Sequence, residues 1–268
     1  MYIKANGIRI HYELSGRKDG PVVILSHSLA SSLKMWEPQM EMLRSHFQVL
    51  RYDTRGHGRS ETTPAPYTLE ILGEDALGLL DQLGMDQVHW VGLSMGGMIG
   101  QGIALNHSQR LKSLVLCDTA AIIPAEAQPI WDDRIQGVRR KGMESQLEVT
   151  MERWFTPSFL GLNPPMLTLI KEEFLATPAE GYIGCAGAIR RLNYLERLGE
   201  INLPTLIIVG EDDPATPVSA SRAIHEHIKN SSLVILPSTR HLSDVEQPRV
   251  FNENLVEFLM NVSNKKEK

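Results

Sequence analysis

Two cysteines, Cys117 and Cys185, are too few to build a disulfide scaffold for 268 residues. Both sit among apolar or small residues and read as buried thiols, so a reducing compartment is expected. A basic excess is also missing. Lys and Arg total 27 against 32 Asp and Glu, for a net charge of -5, which argues against a nucleic-acid partner. The one dense charge cluster, Lys265-Lys266-Glu267-Lys268, reads as a frayed end. No apolar run approaches the ~20 residues of a membrane helix, and Met1 to Asn6 lack the apolar stretch of a secretion signal. A cytoplasmic protein with no membrane partner is expected. No H-E-x-x-H or similar spacing of ligands appears, so neither a metal nor another cofactor is anticipated. Internal repeats and low-complexity tracts are absent as well.

Short apolar runs alternate with helical stretches. Pro21 to Leu25, Phe47 to Tyr52, Val88 to Leu93, Leu111 to Leu116, Leu203 to Val209 and Ser232 to Leu236 are continuous enough to be strands covered on both faces. Ile8 to Leu14 alternates instead and suits an antiparallel strand at a sheet edge. Met35 to Arg44, Leu69 to Leu83, Met95 to Asn106, Ser219 to Lys229 and Val250 to Val262 are the intervening helices. Such alternation predicts an α/β protein with a mostly parallel, doubly wound sheet. The pattern lapses over 121–199, where Trp131, Trp154, Phe155 and Tyr182 accompany Pro157, Pro164, Pro165 and Pro178. That segment reads as short helices forming a cap, with 1–120 and 200–268 as the core.

Gly92-Leu93-Ser94-Met95-Gly96 is a G-x-S-x-G motif between a predicted strand and a predicted helix. Reversing direction in one residue strains Ser94, and side chains at 92 and 96 would collide with the adjoining turns. The serine hydroxyl is thereby exposed near the positive end of a helix. A hydroxyl is a poor nucleophile at neutral pH and needs a base, usually histidine oriented by a carboxylate. On this kind of sheet the chain order is serine, acid, histidine. Glu211-Asp212-Asp213 follows a strand, and Asp213, furthest past the strand end, is favoured over Asp212 and Glu211. His241 follows the last strand and is the candidate base. Two backbone donors must hold the oxyanion. Met95 should give one and Leu29, in the loop Ser26-His27-Ser28-Leu29-Ala30, the other, while His27 should hold that loop in shape.

These residues resemble the α/β-hydrolase family over essentially the whole chain. Within it the sequence looks closest to the 3-oxoadipate enol-lactonases of the protocatechuate (β-ketoadipate) pathway. The matching passages are Arg51-Tyr52-Asp53-Thr54-Arg55-Gly56-His57-Gly58-Arg59-Ser60, Gly92 to Gly97, Leu116-Cys117-Asp118-Thr119-Ala120-Ala121 and Arg153-Trp154-Phe155-Thr156. The first two are shared with cofactor-free haloperoxidases and perhydrolases; the last two favour the lactonases. The first passage should be structural, Asp53 and Arg55 bracing a loop turned by Gly56 and Gly58. The resemblance implies hydrolysis of an anionic enol-lactone. A net-negative protein needs a local positive group for such a substrate, and Arg134 is the candidate, with Trp131 and Trp154 as pocket walls. A general carboxylesterase, a perhydrolase, a carbon–carbon bond hydrolase and a non-catalytic small-molecule receptor are the alternatives. Whether the chain forms a homo-oligomer is left open.

Overall fold

A computed structural model describes residues 1–264, and the Lys265–Lys268 tail lies outside the described residues. Eight strands form one sheet: β1 (Tyr2–Ala5), β2 (Ile8–Gly16), β3 (Val22–Ser26), β4 (Gln48–Tyr52), β5 (Val88–Leu93), β6 (Leu111–Cys117), β7 (Thr205–Gly210) and β8 (Ser231–Leu236). Their spatial order is β1-β2-β4-β3-β5-β6-β7-β8. β2 runs antiparallel to both neighbours, and every pairing from β4 to β8 is parallel. The central strands β5 and β7 are buried at every position, as expected of apolar runs with helices on both faces.

Two expectations need correction. Ile8 to Leu14 is not at the edge of the sheet, because β1 pairs outside it, with Ile3 opposite Ile10. The two strands are joined by Asn6-Gly7, both with positive φ (45° and 80°), the two-residue turn whose twist suits a hairpin. Met35 to Arg44 is not one helix either. A 3₁₀ segment, Leu33–Gln39, contains Pro38 and hands over to α1 (Met40–His46). Proline lacks the N–H that a continuous α-helical ladder requires.

Helices α2 (Leu69–Gln82) and α3 (Met95–Asn106) follow, and five more lie between β6 and β7. These are α4 (Gln128–Lys141), α5 (Glu144–Trp154), α6 (Pro157–Leu162), α7 (Pro165–Ala176) and α8 (Ala179–Ile189). Prolines open α6 and α7, where a missing N–H costs nothing. The chain ends with α9 (Val218–His227), α10 (Ser243–Glu246) and α11 (Pro248–Asn264). Among the described residues no helix is long and apolar enough to cross a membrane.

Chain order reverses beside β3: β4 lies on one side of it and β5 on the other. In open α/β sheets ligands bind at such a switch point, outside the carboxyl ends of the strands. The loop after β3 and the turn after β5 therefore meet where a site is expected.

Candidate active site

Ser94 stands between β5 and α3 with φ 53° and ψ -113°. Its N–H donates to the Cys117 carbonyl (2.9 Å), and its own carbonyl accepts from Thr119 Oγ1 (2.8 Å). The glycines are obligatory by contact. A Cβ on Gly92 would lie 2.2 Å from the Gly96 carbonyl oxygen, and one on Gly96 would lie 2.0 Å from the Ser26 carbonyl oxygen. Strain at residue 94 is held in place by its neighbours.

Asp213 follows β7 and His241 follows β8; Asp213 Oδ2 and His241 Nδ1 are 2.8 Å apart. Asp212 and Glu211 are exposed, whereas Asp213 is buried. Asp213 Oδ2 also accepts from Thr216 Oγ1 (2.6 Å), and Oδ1 accepts from the Ala215 and Thr216 N–H groups. Burial opposes the charge on Asp213, but the His241 charge and these donors outweigh it and hold the carboxyl below its ordinary range. An ionised carboxylate at Nδ1 fixes the imidazole tautomer and leaves Nε2 to exchange a proton. Asp118, behind this pair, is the opposite case. Burial, then the Asp213 charge, pushes its carboxyl well above the ordinary range. It accepts from the Gly210 N–H (2.8 Å) and is hydrogen-bonded to Ser243 Oγ, so it ties the acid loop to the histidine loop.

The loop after β3 is braced by two neutral histidines. His27 Nδ1 contacts the Ser28 carbonyl (2.7 Å) and its Nε2 accepts from the Thr54 N–H (2.9 Å). His57 Nδ1 contacts the Arg55 carbonyl (3.2 Å) and its Nε2 accepts from the Ala30 N–H (2.9 Å). A nitrogen facing a carbonyl must carry the proton, and one facing an N–H cannot. Burial, with mutual repulsion as the next cause, brings His57 down to about 3; burial lowers His27 too. Asp53 extends the brace, accepting from the Leu33 and Arg59 N–H groups and meeting His11 Nδ1 at 2.8 Å. Arg55 pairs with Asp75. With the Ser28 N–H directed at Met35 Sδ (3.3 Å) and the Ala30 N–H at His57, the Leu29 N–H is left without a protein acceptor among the described residues. The Met95 N–H opens α3 and has no intrahelical acceptor.

Ser94, His241, Leu29, Trp131, Arg134 and Trp154 all line one cavity of about 500 Å³ under helices α4, α5 and α8. Met95 and Asp213 are buried behind its wall. The Arg134 guanidinium stacks 4.7 Å from the Trp131 ring centroid, and Trp154 packs edge-on against Phe174. Three further residues belong to the site that sequence reasoning did not single out: Thr216, Tyr182 and Arg153. A Thr three residues beyond a candidate acid is a recognisable turn signal. Arg153 was visible only as part of a family-like passage.

A family model described as the alpha/beta hydrolase fold matches residues 21–248. A protein of Acinetobacter baylyi named 3-oxoadipate enol-lactonase 2 is 37% identical, over 93% of this chain and 92% of that one. A protein of Variovorax paradoxus bearing the name carbamate hydrolase RutD is 30% identical, over 95% and 97%. The crystal structure of an enol-lactonase from Burkholderia xenovorans superimposes with a TM-score of 0.94 at 36% identity, covering 97% of this chain and all of that one.

Proposed function

This chain belongs to the α/β-hydrolase fold family and is a hydrolase acting on a carboxylic ester, and from that premise we propose that it opens 3-oxoadipate enol-lactone to 3-oxoadipate. The observation that carries the choice of substrate is Arg134. Arg134, with no carboxylate partner among the described residues, lines the same cavity as Ser94 and His241, where a lactone bearing a carboxylate would bring the missing charge. The relative named 3-oxoadipate enol-lactonase 2 supports the same reading.

In this mechanism His241 Nε2 takes the Ser94 proton as Oγ attacks the ring carbonyl, and Asp213 stabilises the imidazolium. The oxyanion is held between the Leu29 and Met95 N–H groups. Each such donor is worth about 3 kcal/mol to the transition state. Collapse breaks the ring C–O bond and expels an enol, which takes the proton from His241 and later ketonises. Water, deprotonated by His241, then cleaves the acyl-enzyme. No metal or organic cofactor takes part.

The test is kcat/KM for the enol-lactone, generated in situ and followed by its ultraviolet absorbance. Rapid loss is expected, falling to near the spontaneous rate with Ser94→Ala. Hydrolysis of 4-nitrophenyl acetate without any loss of the lactone would shift the reading to a general esterase. Ammonia release from a carbamate, with the lactone untouched, would shift it to the carbamate hydrolases.

A further inference from the structure

The inner arginines of this protein are mostly paired. Arg51 meets Glu13 and Glu37, Arg55 meets Asp75, and Arg110 meets Asp81. Two are not. Arg134 on α4 makes no hydrogen bond to another described residue, and its Nε is buried without a partner. Arg153 on α5 donates to Thr150 Oγ1 (2.8 Å) and to no carboxylate. Both residues line the cavity that holds Ser94, and their charges are close enough to interact. Burial, with the Arg134 charge as the second cause, brings Arg153 down to about 10. The polar side chain that both face is Tyr182, whose phenol burial keeps neutral. Two like charges half-buried together are costly unless an anion joins them.

The cavity is also larger than one small lactone needs. Its 500 Å³ falls in the range of sites for much bigger ligands. Much of its wall is apolar, with Ile122, Ile123, Pro124, Ile130 and Pro217. The arginines thus suit a carboxylate, and the apolar lining suits a hydrocarbon group that a five-membered ring leaves unfilled.

We propose that Arg134 and Arg153 form one carboxylate-binding subsite, and that the enzyme also hydrolyses open-chain hemi-esters of dicarboxylic acids whose alcohol portion is apolar. The inference rests on the serine-hydrolase reading above and extends its substrate class. The free carboxylate binds the arginine pair, the ester carbonyl meets Ser94, and the alcohol packs on the apolar lining. Ser94 Oγ bonds to the carbonyl carbon, the carbon–oxygen bond to the alcohol breaks, and the Ser94 proton passes through His241 to the departing oxygen. One water then releases the dicarboxylate and restores the serine. No oxidant or reductant is required.

The experiment compares 4-nitrophenyl hydrogen adipate with 4-nitrophenyl hexanoate, a neutral ester of equal acyl length. The wild-type enzyme should prefer the hemi-ester by at least tenfold in kcat/KM. Arg153→Met should lower kcat/KM for the hemi-ester 10- to 100-fold, mainly through KM, and by at least fivefold more than it lowers that for the hexanoate. Arg153→Lys should recover part of the loss. Equal turnover of the two esters by the wild type, or equal loss on both in Arg153→Met, would overturn the proposal. If Arg153→Met fails to fold, the wild-type preference and Arg153→Lys decide it. Lactone turnover without hemi-ester preference defeats this inference alone. Arg153-dependent hemi-ester turnover without lactone turnover defeats the lactonase reading and leaves this one standing.

Discussion

Asp244 lies three residues beyond His241 and is completely buried. Neither of its carboxyl oxygens meets a donor in hydrogen-bonding geometry, although the neighbouring Val245 N–H and its own N–H favour the charge slightly. Burial dominates and raises the carboxyl from 3.8 to about 8. Between those two values the unfolded chain has lost this proton and the folded protein keeps it. Stability must therefore fall as pH rises across that window, by at most about 1.4 kcal/mol per pH unit from this group. Asp244→Asn removes the titration while keeping the shape. Melting curves at pH 5 and pH 8 should show the wild type losing more Tm between the two than the variant does. Equal losses would mean that Asp244 is already ionised at pH 5.

At the scale of elements, one contact of helix α8 with the loop after β4 is made by two glycines. The Gly56 loop touches Gly181 in the first turn of α8, where a Cβ on residue 181 would stand 2.0 Å from the Gly56 carbonyl oxygen. Gly181→Ala must push α8 outward, and α8 carries Tyr182 and Ile189 into the cavity wall. Overpacking of this kind costs about 1–3 kcal/mol, a Tm fall of roughly 2–12 °C for a chain of this size. KM for the lactone should rise along with it. Gly187, also on α8, has open space around its Cβ position, so Gly187→Ala should hold or raise Tm through helix propensity. Similar melting of the two variants would refute the contact. Legibility followed the same division between local and tertiary causes. The strand β5 and helix α3 could be read to the residue, because the apolar run and the elbow that joins the two are written locally. β1 was missed because four residues show no period, although Asn6-Gly7 held the hairpin signal. Ser94 was legible for the same local reason. Asp213 stood out from Asp212 and Glu211 only by loop position, and its pairing with His241 comes from two loops meeting at the sheet's end. Arg153 was not legible as a site residue, since its reach into the cavity depends on how α5 packs against α4, which no single segment encodes.

For the whole molecule the relevant quantity is the balance between a net charge of -5 and a cationic pair inside a cavity. An approaching anion first meets a repulsive field that extends about 30 Å at 0.01 M salt and about 10 Å at 0.1 M. Arg134 and Arg153 attract it only at short range, in a half-buried setting where salt screens poorly. Raising salt therefore weakens the repulsion more than the attraction. kcat/KM for the enol-lactone should increase by up to about threefold between 10 and 150 mM NaCl, a modest steering effect. Turnover of 4-nitrophenyl hexanoate, which carries no charge, should stay flat over the same range. A fall for the lactone with rising salt would show that the positive field of Arg134 and Arg153 reaches solvent and outweighs the net charge. The arginine pair would then attract substrate from a distance as well as binding it.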